Sequence, residues 1–144
     1  MPRAPRPLRQ VPLQTLNEMC RRTMLAHVGI EFTDIGPHHL TATMPVDDRT
    51  VQPFRLLHGG ASVVLAESLG SMAAHLTLDE GQAAVGLEIN ANHLKGVRSG
   101  GVTGTARAIH TGRTTQVWQI EIEDESGDPV CISRITMAVL QTKA

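Results

Sequence analysis

From Leu56 to Leu78 the chain carries Val63, Val64, Leu65, Ala66, Leu69, Met72, Ala73, Ala74 and Leu76, which leave almost no polar side when wound at 3.6 residues per turn. The spacing predicts a helix over Gly60–Leu78 that is buried rather than laid on a surface. A helix apolar all round must be enclosed, so the rest of the chain has to wrap it. The stretch is no membrane span, because it holds Glu67, two His, three Ser and three Gly.

The wrapping comes from a change of period. From Ala83 onward apolar and polar residues alternate, which predicts strands over Ala83–Leu94, Val102–Thr111, Thr114–Asp124 and Val130–Leu140. The joints Gly100-Gly101, Gly112-Arg113 and Ser126-Gly127-Asp128 are too short for anything but antiparallel neighbours. Trp118, Ile120 and Ile122 share one face, and Gln119, Glu121 and Glu123 the other. Upstream, Ile30–Ile35 and Leu40–Val46 form a hairpin about Gly36-Pro37-His38-His39, with Leu40, Ala42, Met44 and Val46 on one face. Thr15-Leu16-Asn17-Glu18 reads as a capping box opening a short amphipathic helix that Gly29 ends. Asp47–Leu57, with Pro53, reads as an ordered loop. The order α-β-β-α-β-β-β-β predicts an α+β fold, one long antiparallel sheet curled around a central buried helix.

At 144 residues the chain is expected to make a single domain over 13–144. Pro2, Pro5, Pro7 and Pro12 make residues 1–12 an expected flexible N-terminal arm, disordered or serving only for packing, and not a nucleic-acid tail. A net charge of −1 leaves no electrostatic footprint for nucleic acid. Cys20 and Cys131 form no CxxC pair and no disulfide framework, and no signal-peptide core precedes them, so a soluble cytoplasmic protein with no membrane partner is expected. No nucleophile elbow, Walker loop, dinucleotide fingerprint or metal-ligand spacing occurs, so neither a metal nor an organic cofactor is expected.

Glu67 is the only formal charge between Leu56 and Leu78. A glutamate is ordinarily paired with an Arg or placed at a helix edge, but apolar neighbours on nearly every side argue here for a desolvated carboxylate, the condition a general base needs. Ser71 and His75 follow at i+4 and i+8 on the same face. His58-Gly59-Gly60 opens the helix, where free N–H groups can polarise a carbonyl oxygen. Gln52 lies six residues before His58, in reach to orient water or an acyl group.

Three motifs carry a resemblance: Gln52-Pro53-Phe54-x-x-Leu57-His58-Gly59-Gly60, then Ala66-Glu67-Ser68-x-Gly70-Ser71, then Gly86-Leu87-Glu88-Ile89-Asn90-Ala91-Asn92-His93. With the strand Thr115–Ile122 they resemble the hotdog-fold acyl-CoA thioesterases, closest to the group of dihydroxynaphthoyl-CoA and enterobactin-associated thioesterases. The resemblance runs from about Leu13 to Leu140. It implies that Glu67 is the catalytic carboxylate, as nucleophile or as general base, and that the Gly59 N–H polarises the thioester carbonyl. Gln52 and His58 would position the acyl carbonyl or water, with Ser71 supporting Glu67 or the water. Gly86, His93, His110, Gly112, Arg113, Thr114 and Thr115 would line the acyl and CoA sites, Arg113 as a phosphate contact.

Gly59 and Glu67 are eight positions apart, about 12 Å at helical rise. Attack needs reacting atoms within roughly 3–3.5 Å, so the two groups are expected from different subunits of a two-fold dimer. The resemblance extends this to a tetramer. The expected reaction is hydrolysis of an acyl-CoA, an aroyl-CoA by resemblance, although Phe32, Phe54 and Trp118 leave few aromatic side chains to stack on a ring. The alternatives are a proofreading thioesterase acting on a mis-acylated acyl or aryl carrier protein, and an acyl-CoA sensor without turnover. Hotdog hydratases fit the helical glutamate less well.

Overall fold

The computed structural model describes residues 3–142. The elements run α1 (Leu13–Met19), α2 (Met24–His27), β1 (Glu31–Ile35), β2 (Leu40–Pro45), α3 (Gly59–His75), β3 (Gln82–His93), β4 (Gly101–Thr111), β5 (Thr115–Asp124) and β6 (Pro129–Gln141). The six strands make one antiparallel sheet in the order β1-β2-β4-β5-β6-β3. The long helix α3 packs across it.

Alternation decides which strand residues meet α3. Leu40, Ala42, Met44, Trp118, Ile120, Ile122, Ile135 and Met137 are buried beneath it. From the helix come Leu65, Ala66, Leu69, Ala73 and Ala74. The two layers approach closely because glycine faces them: a Cβ on Gly70 would lie 2.5 Å from Ile135 Cγ2, and one on Gly104 2.7 Å from Leu69 Cδ1. One polar chain crosses this core. Trp118 Nε1 donates to Gln116 Oε1 (2.9 Å), Gln116 Nε2 to Thr77 Oγ1 (2.8 Å), and the Thr77 hydroxyl to the Ala74 carbonyl (2.8 Å). Each buried group is satisfied, as desolvation demands.

Three local expectations are corrected. Helix α1 starts at Leu13 with Pro12 as its N-cap and no side-chain cap, so Thr15 and Glu18 lie inside it rather than forming a capping box. The ring-fixed φ of Pro12 (−58°) sets the chain's entry, and its carbonyl accepts from the Thr15 amide. The first helix is also broken: Arg22 at φ 58° separates α1 from α2. Gly29 (φ 82°) ends α2, with its N–H on Ala26 and the Ile30 N–H on Leu25.

The third correction concerns the segment expected as a flexible arm over 1–12. Met1 and Pro2 lie outside the described residues, and the remainder is docked. Leu8 is 4% exposed within the core cluster. Its N–H donates to the Pro37 carbonyl (2.8 Å), and the Arg9 N–H donates to the Leu76 carbonyl (2.7 Å). Arg9 Nη1 donates to the Leu78 carbonyl (2.6 Å), the Arg6 N–H to Thr111 Oγ1 (2.8 Å), and the Arg6 guanidinium pairs with Asp79 (2.7 Å). The prolines bar helix and ladder, but Leu8 between them still finds an apolar socket.

Strand β3 lies at the sheet's edge and exposes apolar side chains, Val85 at 45% and Leu87 at 62%. Leu87 is the extra residue of a bulge between Gly86 and Glu88. No helix among the described residues is long and apolar enough to cross a membrane.

Candidate active site

The site begins where α3 begins. His58 is the N-cap, and its Nδ1 accepts the Gly60 N–H at 2.8 Å. That bond uses Nδ1 as the ring's acceptor and leaves Nε2 to the outside. The Ala61 and Ser62 amides go to the His58 carbonyl, and the His58 and Leu57 amides to Thr50 and Val97. The Gly59 N–H is left with no acceptor among the described residues. It is a free donor at the positive end of a 17-residue helix.

Gly59 borders a cleft of about 380 Å³ with Gln52, Ser62 and His93. A Cβ at Gly59 would lie 2.9 Å from His93 Nε2, so glycine is what lets the ring sit against the helix start. Gln52 is oriented by its own loop: its Oε1 accepts the Phe54 N–H, its amide donates to the Leu56 carbonyl, and its carbonyl accepts from Arg55. An amide oxygen so engaged leaves the Nε2 hydrogens as donors without a partner among the described residues. Gly59 and Gln52 both line the cleft and each carries an unpaired donor, and two such donors stabilise an oxyanion where both reach it.

Several cleft residues escaped the sequence reading. Leu56, Leu57, Leu94 and Val130 form its apolar wall. Ser62 is the one with a signal, since i+3 from Gly59 puts both on the same helix flank. Lys95, also on the cleft, stands 2.6 Å from Asp124 Oδ2 and 2.6 Å from Asp128 Oδ2. Hydrogen bonds to Asp124 and then Asp128 hold its ammonium charged above the usual lysine range.

Glu67 lies elsewhere. It sits two turns along α3 with its Oε1 3.0 Å from where a Gly86 Cβ would be, so the bare backbone at the β3 bulge makes room for the carboxylate. The burial expected of it is corrected: Glu67 and His75 are exposed, because a single sheet covers only one side of α3. Among the described residues no cation comes within ion-pair distance of Glu67. Ser71 Oγ contacts Met137 Sδ at 3.9 Å, not Glu67.

The remaining predicted contacts lie in the β4–β5 turn. The Gly112 N–H donates to the Thr115 carbonyl (2.8 Å), and the Thr114 carbonyl accepts from Val139. A Cβ on Gly112 would fall 2.4 Å from His110 Nε2. Arg113 and Thr114 are exposed. Register shows which end of the sheet this is: Gly86 pairs with Met137 and Met137 with Gln116, next to Thr115, whereas His93 pairs with Cys131 and Cys131 with Ile122. The turn therefore sits at the Glu67 end, and Gln52, His58, Gly59 and His93 gather at the other. Among the described residues no group of three or more His, Cys, Asp or Glu is placed to hold a metal ion.

Comparison with known proteins fits this geometry. The model of the thioesterase superfamily matches residues 54–131, from the loop that follows Gln52 to the start of β6. The chain is 54% identical over 132 residues to the 1,4-dihydroxy-2-naphthoyl-CoA hydrolase of Escherichia coli, covering 92% of this chain and 97% of that one. It is 51% identical over 132 residues to the proofreading thioesterase EntH of Cronobacter turicensis, covering 92% and 96%. The crystal structure of a thioesterase from Haemophilus influenzae matches it with a TM-score of 0.93 at 48% identity over 96% of each chain. A free helix-start N–H on a cleft and a lone carboxylate further along the same helix thus stand in a chain that belongs to the thioesterase superfamily, a thioester hydrolase of the hotdog fold.

Proposed function

We propose that the protein hydrolyses an aroyl-CoA thioester, of the hydroxynaphthoyl or hydroxybenzoyl type, to the free acid and CoA. The observation that carries this reading is the pair of unpartnered donors, the Gly59 N–H and the Gln52 Nε2 hydrogens, on two residues that line one cleft. They suit a thioester carbonyl oxygen that gains charge as the tetrahedral intermediate forms. The identity to the naphthoyl-CoA hydrolase supports the choice of acyl group.

The carboxylate comes from a second copy. Glu67 follows Gly59 by eight residues of one helix, about 12 Å away, and its exposure leaves it free to reach a neighbouring cleft. The edge strand β3, with Val85 and Leu87 exposed, supports a two-fold partner there. In such a dimer the partner subunit's Glu67 either takes a proton from the attacking water or attacks the carbonyl itself. The C–S bond then breaks and CoA leaves as thiolate; on the second route water hydrolyses the mixed anhydride on Glu67 to free the acid and restore the carboxylate. Oxygen-18 in a single turnover separates the routes: label entering Glu67 marks covalent attack, and label only in the acid marks general-base hydrolysis. Two such dimers make the proposed tetramer, with Arg113 reaching a CoA phosphate. Free, buried Cys20 and Cys131 suit a reducing cytoplasm.

A second reading is favoured by the likeness to EntH: release of a wrong acyl group from a carrier protein. Thiol release from aroyl-CoA, fatty acyl-CoA and acyl-carrier thioesters, for wild type and Glu67→Ala, tests both. Aroyl-CoA turnover should fall at least about 10³-fold in the variant with the oligomer intact. Faster turnover of the carrier thioester would favour proofreading, and tight binding without thiol release in either protein would mean a sensor.

A further inference from the structure

We infer that Ser62 is the specificity contact of the cleft, and that its hydroxyl reads a hydroxyl substituent on the acyl group. This rests on the cleft being the acyl-CoA site. Five polar residues are buried among the described ones: Thr50, Ser62, Thr77, Gln116 and Ser133. Four are spoken for. Thr50 Oγ1 donates to the Pro45 carbonyl (2.8 Å), Thr77 Oγ1 to Ala74 (2.8 Å), Gln116 Nε2 to Thr77 (2.8 Å), and Ser133 Oγ to Asn90 (2.8 Å). Ser62, 2% exposed, has no side-chain partner among the described residues. A serine inside a helix ordinarily returns its hydroxyl to the carbonyl one turn back, here His58, and no such bond forms.

No sealed side-chain polar atom lacks a partner, so the Ser62 oxygen opens on the cleft it lines. Leu56, Leu57, Leu94 and Val130 give the cleft its apolar wall, and its other polar side chains, Gln52, His93 and Lys95, belong to exposed or half-buried residues, so Ser62 is the buried polar group of the lining. The direction of binding follows from charge. CoA phosphates must stay hydrated, so the thiol arm runs toward solvent and only the acyl end can terminate against a buried floor. A hydroxyl there leaves Ser62 satisfied, whereas an unsubstituted ring strands it in a desolvated pocket.

The test compares kcat/KM for benzoyl-CoA with 2-, 3- and 4-hydroxybenzoyl-CoA in wild type, Ser62→Ala and Ser62→Cys. Wild type should favour one hydroxy isomer about tenfold over benzoyl-CoA. That ratio should fall to near one in Ser62→Ala, with Ser62→Cys, similar in size and a weaker donor, between them. The matching methoxybenzoyl-CoA, tested on wild type alone, should lose the advantage too, and needs no variant to fold. The inference is overturned if wild type shows no hydroxy preference, if Ser62→Ala keeps the ratio, or if it slows every substrate equally, as loss of a pantetheine contact would. Failure of wild type to hydrolyse any of the four overturns the acyl-CoA reading itself.

Discussion

The two ends of α3 are treated in opposite ways. At the C-terminal end three backbone oxygens find donors outside the helix ladder: Thr77 caps Ala74, the Arg9 amide takes Leu76, and the Arg9 guanidinium takes Leu78. Behind Thr77 the chain of bonds runs on through Gln116 to the indole of Trp118. At the N-terminal end His58 takes the Gly60 N–H and leaves Gly59 bare, beside a Gln52 whose acceptor is occupied and whose donors are not. One end spends its polar groups on holding the fold. The other leaves the Gly59 N–H unpaired on the cleft, where the proposed reaction would use it.

That contrast can be broken at three places. Gln52→Ala should have the largest effect, about 10²-fold in kcat/KM from one lost oxyanion donor, with no change in melting temperature. A matching loss of stability would make the N-terminal end scaffold as well. Trp118→Phe should do the reverse. It strands Gln116 Oε1 in the core and leaves a small cavity, costing about 2–3 kcal/mol and several degrees in thermal unfolding, while turnover per folded molecule holds. Arg9→Ala is the smallest: Arg9 is exposed and keeps its backbone bond to Leu76, so about 0.5–1 kcal/mol is expected by denaturant titration. A loss several times larger would show that the docked N-terminal segment governs the whole helix.

Much of this was legible because it is local. Period-two runs placed β3 to β6 within a residue or two of their ends, and the Gly29 stop was readable since an αL residue leaves little choice but glycine. What failed depended on partners far along the chain. Leu8 between prolines looks unanchored until Pro37 and Leu76 arrive beside it. The capping box at Thr15 competed with the fixed φ of Pro12 and lost. Gly59, Glu67 and Gln52 stand out as candidates by type and spacing, but the cleft wall does not, because Leu94 just after β3 and Val130 in β6 lie far apart in the chain and look like any core residue. The exposure of Glu67 has a related cause: an apolar helix predicts that it is covered, but not that one sheet covers only one of its sides.

The separation of Gly59 from Glu67 along α3 gives the proposed shared site a genetics of its own. A chain crippled at Gln52 and a chain crippled at Glu67 would each be inactive alone, yet a mixed pair holds one site carrying both lesions and one carrying neither. Equal amounts allowed to exchange subunits would recover about a quarter of the wild-type sites. Dilution would act the other way, silencing the enzyme as its pairs come apart while each fold survives.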